Sequence, residues 1–131
     1  MTESEIFDII DFSIDNFKRN EGFRKGMKVS KKQNTGWLIF NWRQITWVES
    51  NIDYLIEIYP EFDKEEKISS WTLYTAACYD QNNKRFYLKY SFAKEKDLNF
   101  IVENISSLLV KSFNYITAIS REEIPFIVDL K

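Results

Sequence analysis

Between Arg85 and Phe92 polar and apolar side chains alternate without a break, with Phe86, Leu88, Tyr90 and Phe92 on one parity and Arg85, Tyr87, Lys89 and Ser91 on the other. Only an extended chain sends successive side chains to opposite sides, so this stretch must be a strand with one buried and one wet face. Such strands belong to antiparallel sheets that cover a core on one side only. Other stretches share the character. Met27 to Ser30 reads as a short strand, Trp37 to about Val48 as a long one, and Ile52 to Tyr59 and Trp71 to Tyr79 as two more. Gln33-Asn34-Thr35-Gly36 and Asp80-Gln81-Asn82-Asn83 supply turns. Pro60 is expected to end its strand, and the charged run Glu61 to Lys67 to form a loop.

The long strand contains an irregularity. Leu38, Phe40 and Trp42 form one alternating apolar set, but Ile45 and Trp47 continue on the opposite parity. If both sets face one core, a bulge near Arg43-Gln44 is required, because one extra residue exchanges the faces.

Helical periodicity brackets the strands. Thr2-Glu3-Ser4-Glu5 matches a capping box, followed by Ile6, Phe7, Ile10, Ile14 and Phe17 on one stripe and Asp8, Asp11 and Asp15 facing away. Lys18 and Arg19 suit the end of this helix, and Gly22 its stop. Asp97 is a candidate N-cap for a long second helix, in which Leu98, Ile101, Val102, Ile105, Leu108, Leu109, Ser112 and Ile116 keep helical spacing to about Ile119. The tail Ile124 to Leu130 reads as an edge strand or an extended arm. The expected fold is α+β, a single domain over residues 1–131. An antiparallel sheet of four to five strands carries an N-terminal and a long C-terminal helix on one face.

The residue inventory narrows the chemistry. The chain has no histidine, one cysteine and three glycines, while aromatic residues make up 17%. Neutral-pH acid–base catalysis, most transition-metal sites and phosphate-cradling loops draw on the scarce types. No cofactor or metal is therefore expected, and the chain reads as a binder rather than an enzyme. Asp53 and Glu57 would share a strand face, but about 13 Å of backbone separates them, too far for a paired-carboxylate site. Cys78, among Ala76, Ala77 and Tyr79, reads as a packed residue. The acidic start, Met1 to Phe7, is unlike a signal peptide, no stretch is long enough for a membrane span, and the lone cysteine suits a reducing compartment. The expected location is the cytoplasm.

Charge is polarised along the chain although the total is only −2. From Lys18 to Lys32 there are seven cations (Lys18, Arg19, Arg24, Lys25, Lys28, Lys31, Lys32) and one acid, Glu21. From Glu49 to Lys67 there are seven acids and two lysines. The basic segment could hold a phosphate backbone with Trp37 and Trp42 stacking on bases. The acidic one could imitate nucleic acid in the basic cleft of a nuclease. If Tyr54, Ile56, Phe86 and Leu88 point at the helices, then Arg43, Glu57, Tyr74, Tyr87 and Lys89 fall on or near the opposite surface, a mixture that interfaces favour.

At Glu21-Gly22-Phe23-Arg24-Lys25-Gly26, followed by the strand from Trp37, the chain resembles a group of uncharacterised bacterial domains. In these an N-terminal helix runs into a G-F-[KR]-K-x-G-like turn and then a meander of strands, in gene neighbourhoods that suggest toxin immunity. The glycines here are one residue closer. In size, acidity and build the chain is also similar to immunity proteins of contact-dependent growth inhibition and other polymorphic toxin systems. The resemblance implies a partner, a cognate protein toxin, a nuclease being one candidate; the surface expected to occlude it, from the strand parity and charge above, is Arg43, Asp53, Glu57, Glu61, Tyr74, Tyr87 and Lys89. An acidic surface around Asp53, Glu57 and Glu61 would steer the encounter. The alternatives are a nucleic-acid-binding module using residues 18–32 and a secretion chaperone.

Overall fold

A computed structural model of the chain describes residues 2–22, 26–36, 38–95 and 98–130. Helix α1 spans Glu3–Phe17 and passes into a π-helical turn at Lys18–Gly22. Five strands follow as a meander: β1 Lys28–Thr35, β2 Ile39–Glu49, β3 Ile52–Phe62, β4 Ile68–Gln81 and β5 Lys84–Glu95. Helix α2, Leu98–Thr117, leads through a short 3-10 turn to β6, Phe126–Asp129. The sheet has six antiparallel strands in the order β1-β2-β3-β4-β5-β6. The expected count of four to five is thus corrected to six, because the apolar tail pairs with the start of β5.

Local chemistry accounts for the element ends. The Thr2 hydroxyl accepts from the Glu5 amide at 3.2 Å while the Glu5 carboxylate accepts from the Thr2 amide at 3.3 Å, completing the capping box. Ser50-Asn51 and Asn82-Asn83 hold φ of 54° and 61° at successive positions, the left-handed pair that a two-residue hairpin needs. Pro60 does not end β3; it pairs with Trp71 of β4. The β2 pairing stops at Ile58, so beyond that point β3 is bordered on one side only, where proline is tolerated.

Both helices contribute to one core. Ile6, Ile10, Ile14 and Phe17 of α1 and Ile101, Ile105, Leu109, Phe113 and Ile116 of α2 are buried together with Ile45, Trp47, Tyr54, Ile56, Ile58, Trp71, Leu73 and Ala77 from the strands. Edge-on ring pairs tie α1 to the sheet, Phe7 to Trp71 at 5.3 Å, and to α2, Phe17 to Phe113 at 5.5 Å. Each such side chain contributes roughly 1.5–3 kcal/mol by leaving water.

No bulge occurs at Arg43-Gln44. Register runs unbroken from Lys28↔Thr46 to Thr35↔Ile39 on one side of β2 and from Arg43↔Ile58 to Glu49↔Ile52 on the other. The parity change arises because the two apolar sets serve different faces. Ile45 and Trp47 join the core, while Phe40 and Trp42 share the other face with Gln44 and Thr46. Shifts in register fall instead at Glu61/Phe62 and Leu73/Tyr74. Trp37, Arg24, Lys25 and Asp97, with most of the Gly22–Gly26 motif, lie outside the described residues or have no described side chain.

Candidate functional site

The second face of the sheet carries no helix among the described residues, and strand register orders it into rows. One row is Gln44, Glu57, Tyr74 and Ser91; the next is Thr46, Leu55, Ala76 and Lys89; a third is Val48, Asp53, Cys78, Tyr87 and Phe126. Lys32 lies opposite Trp42 at the β1 end. This face therefore holds six of the seven residues singled out from the sequence: Asp53, Glu57, Glu61, Tyr74, Tyr87 and Lys89.

Arg43 is the exception and is corrected. It shares the parity of Ile45 and Trp47, so it points toward the helices and is only 8% exposed. There Nε and Nη2 donate to the two Asp11 carboxylate oxygens at 2.6 and 3.2 Å, and the guanidinium lies 4.3 Å from the Phe7 ring centre. Asp11 consequently faces the sheet rather than solvent, and Lys31 approaches it at 3.5 Å.

The acids of the open face are not a bare negative patch. Glu57 accepts from the Tyr74 hydroxyl at 2.7 Å on one oxygen and from Gln44 at 2.9 Å on the other. Glu61 accepts from Lys94 at 3.0 Å and from Ser70 at 3.1 Å. The Lys94 bond holds the Glu61 carboxyl below its usual range, against a smaller opposing effect of burial. Burial, and then the bond to Glu57, pushes the Tyr74 phenol far above its ordinary value, so it stays a donor. Asp53 is exposed beside Cys78, whose thiol is raised first by burial and then by Asp53. That thiol is held protonated and poorly nucleophilic.

Two depressions flank the Gln44–Glu57–Tyr74 row. The larger, about 720 Å³, is lined by Lys28, Thr46, Asp53, Leu55, Ala76 and Cys78 among others. The smaller, about 220 Å³ and open to solvent, is lined by Phe40, Trp42, Glu57, Tyr59, Tyr74 and Lys89. Phe40 and Trp42 lie 5.4 Å apart, Tyr59 meets Tyr74 edge-on at 5.6 Å, and the Lys89 ammonium sits 4.2 Å from the Tyr74 ring centre. Beyond them Tyr87 stacks on Phe126 at 5.2 Å. Phe40, Tyr59 and Leu55 escaped sequence reasoning as surface groups. The available signal was parity, since Phe40 and Trp42 are in step with Gln44 and Thr46 rather than with Ile45.

The described cations of the basic segment do not converge on one site. Lys28 and Lys32 share the open face, Lys31 turns to Asp11, and Arg19 bonds the Asn16 side chain at 2.6 Å. Among the described residues no cluster of three histidine, cysteine or acidic side chains could hold a metal ion, and no helix is long and apolar enough to cross a membrane. Set against protein-family models, curated proteins and solved structures, the chain matches none of them.

Proposed function

We propose that this protein works by binding another protein through the open face of its sheet. The observation that carries the reading is the asymmetry of the two faces. One is closed by two helices, yet the other still spends Phe40, Trp42, Leu55 and Tyr59, all half-buried, and the exposed Tyr87 on a surface with no helix over it among the described residues. Aromatic side chains interleaved with fixed polar groups are the composition of interface centres, and the two depressions beside them suit inserted side chains.

Within that reading, the partner class is a protein toxin, and the mode of action is occlusion of its active site. The similarity in size, acidity and build to immunity proteins supports this choice. Because Glu61 is already paired with Lys94 and Glu57 is held between two neutral donors, recognition rests on shape, aromatic contact and the single fixed charge of Glu57 more than on a broad imitation of phosphates.

Affinity capture with the intact protein, followed by co-expression with whatever is recovered, tests both levels. The expected result is one stoichiometric protein that arrests growth alone and is harmless beside this chain. A partner without toxicity removes the immunity reading; recovery of nucleic acid in place of protein removes both.

A further inference from the structure

The smaller depression has the chemistry of a cation receptor. Its lining includes the rings of Phe40, Trp42, Tyr59 and Tyr74, and the Tyr74 face, which carries the negative part of the aromatic quadrupole, is open to a cation. Glu57 adds a formal negative charge, and its polar partners among the described residues, Gln44 and Tyr74, are both neutral donors. Those two bonds fix the carboxylate in place without cancelling its charge. The Tyr74 face and the Glu57 carboxylate, on adjacent strands, thus favour a positive guest.

The site already takes one. Lys89, diagonal to Tyr74 across the β4–β5 ladder, lays its ammonium 4.2 Å from the Tyr74 ring centre. Lys89 is exposed and its stem is flexible, so this internal guest can swing out. The volume of about 220 Å³ is below the roughly 300–1,000 Å³ of small-molecule pockets, and suits the head of a single side chain.

We infer that the box formed by Phe40, Trp42, Glu57, Tyr59 and Tyr74 receives an arginine or lysine side chain of the protein partner, with Lys89 as the resident cation that it displaces. The inference rests on the protein-binding reading for the identity of the guest, but the box itself can be tested without any partner.

The experiment is a titration of the intact protein followed through the Trp42 indole resonance. The probes are N-acetyl-arginine amide, its neutral isostere N-acetyl-citrulline amide, tetramethylammonium chloride and, as an ionic-strength control, sodium chloride. The arginine amide is expected to shift the resonance saturably, and the citrulline amide and sodium chloride are not. Lys89→Ala should tighten arginine binding by about threefold to tenfold, as removal of a competing cation–π contact requires. The isosteric Glu57→Gln should weaken it by a similar factor. Equal responses to arginine and citrulline amides, no saturable response, or no effect of either substitution would overturn the inference. Tighter binding of tetramethylammonium than of the arginine amide would also overturn it, by assigning the box to a free quaternary cation.

Discussion

Arg43 illustrates how one residue is committed by its neighbours. Its guanidinium leaves water almost completely and is satisfied by a two-pronged bond to Asp11 and by the Phe7 ring. Removing one member of such a pair costs more than the pair itself contributes, because the other charge stays behind without a partner. Asp11→Ala should therefore lower unfolding stability by about 2 kcal/mol in urea titrations. Adding Arg43→Met in the same chain should restore most of the loss. An Asp11→Ala protein as stable as the original would contradict the assignment. Tyr74 makes the complementary case for a neutral group. Its phenol titrates above the ordinary 10.0 in the folded chain, first because it is buried and then because it donates to Glu57. Above pH 10.0 the unfolded chain releases the proton while the folded chain keeps it, so stability present at lower pH drains away as pH rises. Tyr54 and Tyr59 shift in the same direction and share this slope. Tyr74→Phe should accordingly lose stability less steeply above pH 10.0 than the original protein, as read by chemical denaturation at successive pH values. Parallel curves would show that Tyr74 carries none of the dependence.

At the scale of elements, the sequence was most legible where one face is wet and the other dry. In β5, Phe86 and Leu88 pack against the core as their alternation requires, although Tyr90, in step with them, is 45% exposed; the stripe Ile6, Ile10, Ile14 of α1 is buried as its spacing requires. Legibility failed where both faces of a strand are apolar. In β2 the change of parity between Trp42 and Ile45 admits two physical solutions, a bulge or an apolar patch on the second face, and periodicity alone cannot choose between them. The register of β2 against β1 and β3 selects the patch. The same ambiguity put Arg43 on the wrong side, since its face follows from Ile45 and Trp47 once no bulge intervenes. β6 was ambiguous for another reason. Phe126, Ile127 and Val128 are exposed on both faces, so no alternation marks the strand, and its pairing with β5 is what gives it direction. Most of the candidate surface was nonetheless readable, because Asp53, Glu57, Tyr74, Tyr87 and Lys89 all follow from the parity of strands whose core face was plain. The aromatic box was not, since half of it depends on β2.

Over the whole molecule, the arrangement is a two-layer one in which the helices close one side of a six-stranded meander and the other side keeps aromatic groups at the surface. A sheet in that state either finds a partner or exposes a patch that soluble proteins usually avoid. Lysines on β1, an edge strand, discourage indiscriminate pairing there and leave the face itself as the surface for recognition. The most direct test compares two aromatic-to-acid substitutions on opposite sides of the molecule, measured by calorimetric titration with the captured partner. Tyr87 is 37% exposed on the open face and Phe12 is 66% exposed on α1, so both can be replaced without disturbing the core. Tyr87→Glu is expected to weaken binding by more than about tenfold, as loss of an interface aromatic does, and Phe12→Glu to leave it unchanged. Binding that survives Tyr87→Glu but is lost in Phe12→Glu would place recognition on the helical side and contradict the account.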